Sequence, residues 1–167
     1  RQKNDKLDAF KLAELLRMGN YKAIYIDDSE DRRDFKSVVK HYESQSRVRA
    51  DTMVIIKARL RVFGIISKGS GVFHPSQREQ LLNQISSEFK RESILQLFRS
   101  FDTATELKLD ALRTMKRMSR QFPEVELLTS VPGVGIVNAC RFVGYVQNPY
   151  RFNNVRALWR YARLGVV

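Results

Sequence analysis

Cysteine, histidine and long apolar runs are scarce in this chain of 167 residues. The single cysteine, Cys140, cannot form an intrachain disulfide, which suits a reducing cytoplasm. The two histidines, His41 and His74, lie far apart in sequence and have no cysteine cluster beside them, which argues against a zinc site. No apolar run approaches the roughly 20 residues that a membrane-spanning helix needs. We therefore expect no disulfide, no zinc and no membrane partner.

Basic residues, by contrast, are in large excess. The chain has 30 Lys and Arg against 18 Asp and Glu, so its formal net charge is +12. Charge alone is compatible with DNA, RNA or an anionic membrane surface, and among these polyanions we expect a nucleic acid and not a membrane. Hydrophobic residues make up 43% of the sequence, which is enough for a packed core and argues against disorder.

The N-terminal half predicts a helix, a strand and then a long helix. Apolar residues recur at helical spacing over Asn4–Met18, and the β-branched and aromatic run Tyr21–Ile26 predicts a strand. Apolar residues then alternate in steps of three and four over about Asp31–Ser67, which is a heptad pattern. Its members, with polar interruptions at Ser46 and Arg49, are Phe35, Val39, Tyr42, Ser46, Arg49, Met53, Ile56, Leu60 and Phe63.

A second helical pattern runs from Ser76 to about Ser119, with a break possible near Ser86–Ser87. Its apolar stripe includes Ile94, Phe98 and Leu107, and the Gly-rich residues 68–71 precede it. Two long helices joined by a Gly-rich turn predict an antiparallel coiled-coil arm.

The stretch from Leu127 to Gly135 looks like a helix-hairpin-helix motif. Gly133, Val134 and Gly135 form its turn, and glycines allow backbone N–H groups to approach a phosphate without a Cβ in the way. The following helix would add its N-terminal amides and dipole, so the contact would be independent of DNA sequence. A Gly-rich turn between two core helices is the other interpretation.

Arginines and aromatic residues follow this turn closely. The candidate phosphate contacts are Arg141, Arg151, Arg156, Arg160 and Arg163, of which the last three share one predicted helical face. Interleaved aromatics could stack on unpaired bases. For Phe152 and Trp159 we expect core positions instead.

Asp5 and Asp8 are spaced so that both carboxylates project from one helical face. Such a pair can hold Mg²⁺ together with water and phosphate oxygens, and would then be catalytic. The simpler interpretation is that Asp5 caps the helix and Asp8 interacts with its dipole.

Together these segments resemble transposases of the insertion-sequence one-hundred-ten family, which includes the pilin-gene invertases. Residues Asn4–Ala9, with the leucines that follow, resemble the end of the RuvC-like acidic domain, and Asp5 and Asp8 match the last two residues of its Asp-Glu-Asp-Asp tetrad. Arg47–Gly64 is similar to the coiled-coil arm of these proteins, and Leu127–Gly165 to the front of their C-terminal domain.

The resemblance implies a mainly α chain with three parts. These are residues 1–28 as the end of a RuvC-like α/β domain, residues 29–122 as the coiled-coil arm, and residues 123–167 as the start of a helix-hairpin-helix domain. It also implies DNA cleavage and rejoining through a covalent intermediate, with Mg²⁺ in the intact parent. The implied partners are DNA, a structured guide RNA and further copies of the chain, and the implied location is the prokaryotic cytoplasm at the nucleoid.

The first Asp and the Glu of the tetrad would precede Arg1, and the nucleophilic serine would follow Val167, since Ser130 is not its equivalent. Arg163 stands where many members have glycine. Hence we expect no tight Mg²⁺ binding and no activity from this chain alone, and leave open whether it is an enzyme. A helix-hairpin-helix module of repair or replication type and a coiled-coil assembly protein are the alternative functions.

Overall fold

The computed structural model describes residues 4–21, 23–66 and 69–162, and these residues form seven α-helices and no strand. In chain order the helices are α1 (Asp5–Arg17), α2 (Glu30–Val62), α3 (Pro75–Asn83), α4 (Glu88–Ser119), α5 (Pro123–Thr129), α6 (Ile136–Val146) and α7 (Val155–Tyr161). Short 3₁₀ turns at Gly71–Phe73 and Pro149–Arg151 precede α3 and α7. The prediction of a mainly α chain is confirmed, and no described helix has the length and apolar character of a membrane span.

The strand predicted over Tyr21–Ile26 is wrong for the residues that are described there, which exclude Lys22. A strand needs a neighbour to pair its backbone groups, and the described chain offers none at this point. Ile24 and Ile26 are exposed, so the segment connects α1 to α2. The α/β character predicted for residues 1–28 is therefore not present in the described part of that segment.

The long helix α2 begins and ends on local signals. Ser29 caps its start, because the side-chain oxygen accepts a hydrogen bond from the Arg32 amide. Gly64 ends it with a φ of +80°, and the amide of Ile65 donates back to the carbonyl of Leu60. This pair of features is a Schellman motif. The helix thus stops several residues before the predicted end at Ser67, which itself lies outside the described residues.

The second helical pattern is divided where the sequence suggested. Residues 84–87 separate α3 from α4, and Ser87 is the N-cap of α4. The start of α2 packs against the end of α4, and the end of α2 packs against the start of α4, so these two helices run antiparallel. The predicted heptad residues of α2 face α4, whereas Leu107 of the predicted α4 stripe is half exposed.

A distal core fills the end of this helix pair that is remote from α5 and α6. It consists of Ile56, Leu60, Ile65, Val72, Phe73, Ile85, Ile94, Phe98 and Phe101. Arg78 of α3 closes it, since its guanidinium donates to both carboxylate oxygens of Asp102, each at 2.6 Å, and to the carbonyl of Phe73. The same group lies over the Phe98 ring, so α3 is held to α4 by charge and by stacking.

A proximal core fills the other end and includes the C-terminal helices. It consists of Phe35, Val39, Tyr42, Ala111, Met115, Phe122, Val125, Ala139, Cys140 and Val143. Phe35 stacks on Phe122 with ring centroids 4.5 Å apart, and Gly144 of α6 lies against Val39. The predicted boundary at residue 122 is bridged by this core, and the domain limits stay predictions.

Polar contacts also connect the start of α2 to the C-terminal helices. Arg32 donates to a carboxylate oxygen of Glu124 and to the carbonyl of Gln147, each at 2.6 Å. Burial alone would raise the pKa of Glu124, but the hydrogen bond from Arg32 and its positive charge outweigh burial and lower it. Gln147 follows α6 with a φ of 58° and is almost fully buried, so this contact holds the chain at a strained turn.

Candidate nucleic-acid interface

The turn between α5 and α6 spans residues 130–135 and is built on glycine. Gly133 has a φ of +87°, in the left-handed region that residues with a Cβ rarely adopt. The amide of Val134 donates to the carbonyl of Val131 at 3.0 Å, which closes the turn. The predicted residues Gly133, Val134 and Gly135 therefore lie together, with both glycines exposed.

The start of α6 leaves several backbone donors without partners. Gly135 is its N-cap and has no side chain to accept a hydrogen bond from the helix. The first amide that bonds within the helix is that of Ala139, which donates to the carbonyl of Gly135. Among the described residues, nothing accepts a hydrogen bond from the amides of residues 135–138. These free N–H groups, at the positive end of a helix dipole, form an arrangement that binds anions.

Space around Gly135 is open. A Cβ built at this position meets no atom within 4 Å, and its φ is negative. A side chain here is therefore compatible with the fold, whereas any residue but glycine at Gly133 would be strained. For this reason a substitution at Gly135 can test phosphate binding without straining the turn, whereas a substitution at Gly133 cannot.

Arg141 lies on α6 and forms an ion pair with α2, while its side chain stays 46% exposed. Its Nε donates to the carboxylate of Glu43 on α2 at 2.7 Å. The Tyr145 hydroxyl donates to the other oxygen of the same carboxylate, and this hydrogen bond, with some burial, raises the pKa of Tyr145. Glu43 thus holds α6 to α2 through both residues.

Arg151 is engaged even more completely. Its guanidinium lies 4.2 to 4.5 Å from the ring centroids of Tyr25, Phe152 and Tyr161. Its Nε also donates to the carbonyl of Val146. The arrangement joins the α1–α2 connection to α7, so Arg151 has a structural position in the fold.

Tyr25 is itself fixed by an acidic neighbour. Its hydroxyl donates to Asp27 at 2.7 Å, and this hydrogen bond raises the pKa of Tyr25. Burial raises the pKa of Asp27, but hydrogen bonds from Tyr25 and from the Ser29 amide, with the charges of Arg32 and Arg33, lower it overall. The connection before α2 is therefore held in one arrangement.

The remaining predicted arginines lie on α7 or just beyond it. Arg156 and Arg160 are one helical turn apart and exposed, while Arg163 lies outside the described residues. The core position expected for Trp159 is wrong, since 52% of this residue is exposed, and Phe152 is only partly buried. The Tyr161 hydroxyl of α7 donates to the carbonyl of Tyr145 on α6, while Trp159 stays in solvent, where stacking on a base is sterically possible.

Asp5 and Asp8 share one exposed face of α1, as predicted. The cap of this helix is Asn4, whose side chain accepts the amide of Lys6, so the alternative in which Asp5 is the cap is wrong. Both carboxylates lie in the first turn, where their negative charge also interacts favourably with the helix dipole. In the described part of the chain, no group of three or more acidic, His or Cys side chains could hold a metal.

Cations that the sequence prediction omitted lie near the start of α6. Arg113, Lys116, Arg117 and Arg120 follow the spacing i, i+3, i+4, i+7 and are all exposed at the end of α4. A cleft of about 310 Å³ has Ser119 and Arg120 on one side and Thr129 and Ile136 on the other. The helical spacing was visible in the sequence, but its proximity to the turn was not.

The comparisons with known proteins agree with the sequence resemblance. Residues 125–167 match the profile described as Transposase IS116/IS110/IS902 family. No curated protein and no solved structure is significantly similar to the chain. The matched segment begins within α5 and contains the turn with the unpaired amides, α6 and α7. The resemblance is thereby confirmed: the chain is similar over residues 125–167 to IS116/IS110/IS902 transposases, and this similarity supports a role in transposition.

Proposed function

We propose that this chain supplies DNA binding and assembly to a transposase that cuts and rejoins DNA strands. The similarity of residues 125–167 to the transposase family supports the general role. One observation carries the DNA-binding part of the proposal, namely the exposed, unpaired amides at the start of α6 beside Gly133 and Gly135. In this proposal α5, the turn and α6 act as a helix-hairpin-helix unit.

The proposed contact joins the protein backbone to the DNA backbone. A phosphate oxygen would accept hydrogen bonds from amides of residues 135–138, and the helix dipole would favour its negative charge. Such a contact reads no base edge, so binding is expected to be independent of DNA sequence. A general DNA-binding module of repair type could use the same chemistry, but the family similarity favours the transposase.

The test is a fluorescence-anisotropy titration of the chain with a labelled DNA duplex of arbitrary sequence. Gly135→Val places bulk where the phosphate would approach, and we expect affinity to fall at least tenfold with an unchanged melting temperature. Ser70→Val, an increase in bulk at an exposed position remote from the turn, is the matched control and should bind normally. Equal affinity of the parent and Gly135→Val would show that the turn is only structural.

RNA is the second nucleic acid to compare. The guide RNA that the resemblance implies would meet the same backbone donors. A structured RNA that competes with the duplex in the same titration would support a shared surface for the two.

For assembly, a second heptad stripe on α2 is the surface that we propose. The predicted heptad residues are turned towards α4 and are thus occupied within the chain. Val48, Ile55 and Val62 are spaced by seven, lie on another side of α2 and are 47%, 48% and 75% exposed. A second copy of this chain would bury them in the manner of a coiled coil. Light scattering should show a dimer or higher oligomer that Ile55→Glu dissociates, and a monomer at high concentration would contradict the proposal.

The catalytic part of the proposal rests on the resemblance. Asp5 and Asp8 would be two of the magnesium ligands of the intact transposase, although the described residues do not complete the site. In the intact parent, Asp5→Asn and Asp8→Asn should each abolish Mg²⁺-dependent strand cleavage and leave DNA binding intact. Full cleavage by either variant would remove both residues from the reaction.

A further inference from the structure

The end of α4 has a stripe of cations that the fold leaves without partners. Lys116, Arg117 and Arg120 are exposed, and no carboxylate among the described residues pairs with them. Arg113 begins the stripe and pairs with Asp110 in the preceding turn, an ion pair that is itself exposed. This differs from Arg141 and Arg151, whose guanidinium groups are occupied by Glu43 and by three aromatic rings.

Two observations place Arg120 and Lys116, two members of this stripe, on the side of α4 that faces α6. Arg120 lies in the wall of the cleft that also contains Thr129 and Ile136, which are the last residue of α5 and the first of α6. Lys116 lies close enough to Cys140 on α6 to oppose the rise that burial causes in the pKa of its thiol. Arg120 therefore shares a cleft with the first residue of α6, and Lys116 lies near the following turn of that helix.

We propose that double-stranded DNA passes from the α5–α6 turn onto α4, where Lys116, Arg117 and Arg120 hold the phosphates that follow the one at the turn. This inference rests on the proposed function and extends its contact surface. From Lys116 to Arg120 the helix rises about 6 Å, at about 1.5 Å per residue. Duplex DNA rises by that length over roughly two base pairs. The stripe thus matches a short length of one strand.

Cations in the last turn of a helix also stabilise its dipole, which would explain Lys116 and Arg117 without DNA. The dipole has no need of a phosphate partner, so it predicts a change in stability and none in binding. The cleft also contains Glu126, which is exposed and would repel a phosphate held there. Its carboxylate is therefore a sensitive reporter of DNA in the cleft.

The experiment compares two triple variants with the same decrease in charge. In the first, Lys116, Arg117 and Arg120 are changed to Gln. In the matched control, Arg59, Arg61 and Arg99 are changed to Gln, which are exposed cations elsewhere on α2 and α4. Both lower the formal charge by three, so diffuse attraction to DNA falls equally. Affinity for the labelled duplex is measured between 50 and 300 mM salt, alongside the melting temperature and the Gly135→Val variant.

For the stripe variant we expect affinity to fall at least tenfold below that of the control. Its slope of log affinity against log salt should become shallower by about 0.9 for each phosphate that the variant no longer neutralises. Glu126→Gln should raise affinity about twofold or more, while Glu79→Gln, far from the cleft, should not. A stripe variant that binds as the control does would overturn the inference.

The Gly135→Val arm separates this inference from the proposed function. Loss of binding with Gly135→Val but not with the stripe variant refutes the role of α4 alone and leaves the proposed binding at the turn standing. Loss with the stripe variant but not with Gly135→Val refutes binding at the turn, and with it the path of DNA from the turn onto α4. Absence of binding by the parent at the lowest salt refutes both.

Discussion

The proximal and distal cores lie at opposite ends of the same two helices, yet they are assembled differently. The distal core uses residues from one continuous stretch between the end of α2 and the middle of α4. The proximal core requires the C-terminal helices to return to the start of α2, as in the contact between Arg32 and Gln147, which are 115 positions apart. The distal end therefore needs only local closure, whereas the proximal end depends on long-range contacts.

The difference between the two cores also affects the proposed DNA-binding surface. The unpaired amides and the free cations both lie at the proximal end, so the proposed DNA surface is only as well formed as the long-range contacts beneath it. The distal end presents Ile55 and Val62 of the exposed stripe on α2. We infer that the distal core stabilises the pair of helices α2 and α4, while the proximal core holds the α5–α6 turn in place.

Truncation of one large side chain in each core is the largest expected effect. Phe35 and Leu60 are almost completely buried, and their replacement by Ala should cost about 3–5 and about 2–5 kcal/mol respectively. Urea unfolding would measure both, with Val54→Ala, which is exposed on α2 and lies outside the proposed assembly stripe, as a control within about 0.5 kcal/mol of the parent. Under conditions where both variants stay folded, only Phe35→Ala should weaken DNA binding, since Phe35 supports Phe122 beneath α5.

Equal decreases of DNA affinity in Phe35→Ala and Leu60→Ala would contradict the inference that only the proximal core supports the turn. The two cores would then act as one cooperative unit, and damage at either end would reach the turn. Hydrogen exchange would add detail, because amides around the distal core should open independently of those in α6 if the cores are separable.

A smaller effect is expected at the contact between α6 and α2. A Cβ at Gly144 would lie 2.9 Å from Cγ2 of Val39, which is branched and has little freedom to move. Overpacking costs about 1–3 kcal/mol of stability. The helix propensity of Ala is more favourable than that of Gly by roughly 1 kcal/mol, which offsets only part of this cost. Gly144→Ala should therefore destabilise the chain and weaken DNA binding.

The matched control is Gly135→Ala, which meets open space and should leave stability unchanged. A second substitution, Val39→Ala, makes room for the new methyl group, so the double variant should be more stable than the sum of the single effects predicts. Strict additivity of the two substitutions would mean that the helices do not approach each other this closely.

Much of the helical framework could be predicted from the sequence because its signals are local. The apolar spacing of α2, the break before α4 and the glycine turn before α6 each depend on residues a few positions apart. Gly64 was also readable as a stop, but the later Gly-rich run at 69–71 was the stronger pattern. The strand at residues 21–26 was wrong because β-structure needs a partner, and local propensity carries no information about one.

The candidate site was only partly predictable. Gly133 and Gly135 could be chosen from the sequence, since a left-handed turn and an open helix start follow from the residue type itself. The choice among arginines could not be made in this way, because a cation is free or occupied according to what the rest of the chain brings to it. Arg141 and Arg151 meet Glu43 and Tyr25, which lie far away in sequence.

The sequence by itself thus determined a basic, mainly helical chain with a glycine turn of the transposase type. Only the tertiary structure decided which charges face solvent beside that turn. The physical reason is that helix formation and turn geometry depend on neighbours along the chain, whereas ion pairing depends on neighbours in space. Packing of α6 against the start of α2 pairs Arg141 with Glu43, and the α1–α2 connection brings Tyr25 to Arg151. Residues at the end of α4 share a cleft with the first residue of α6.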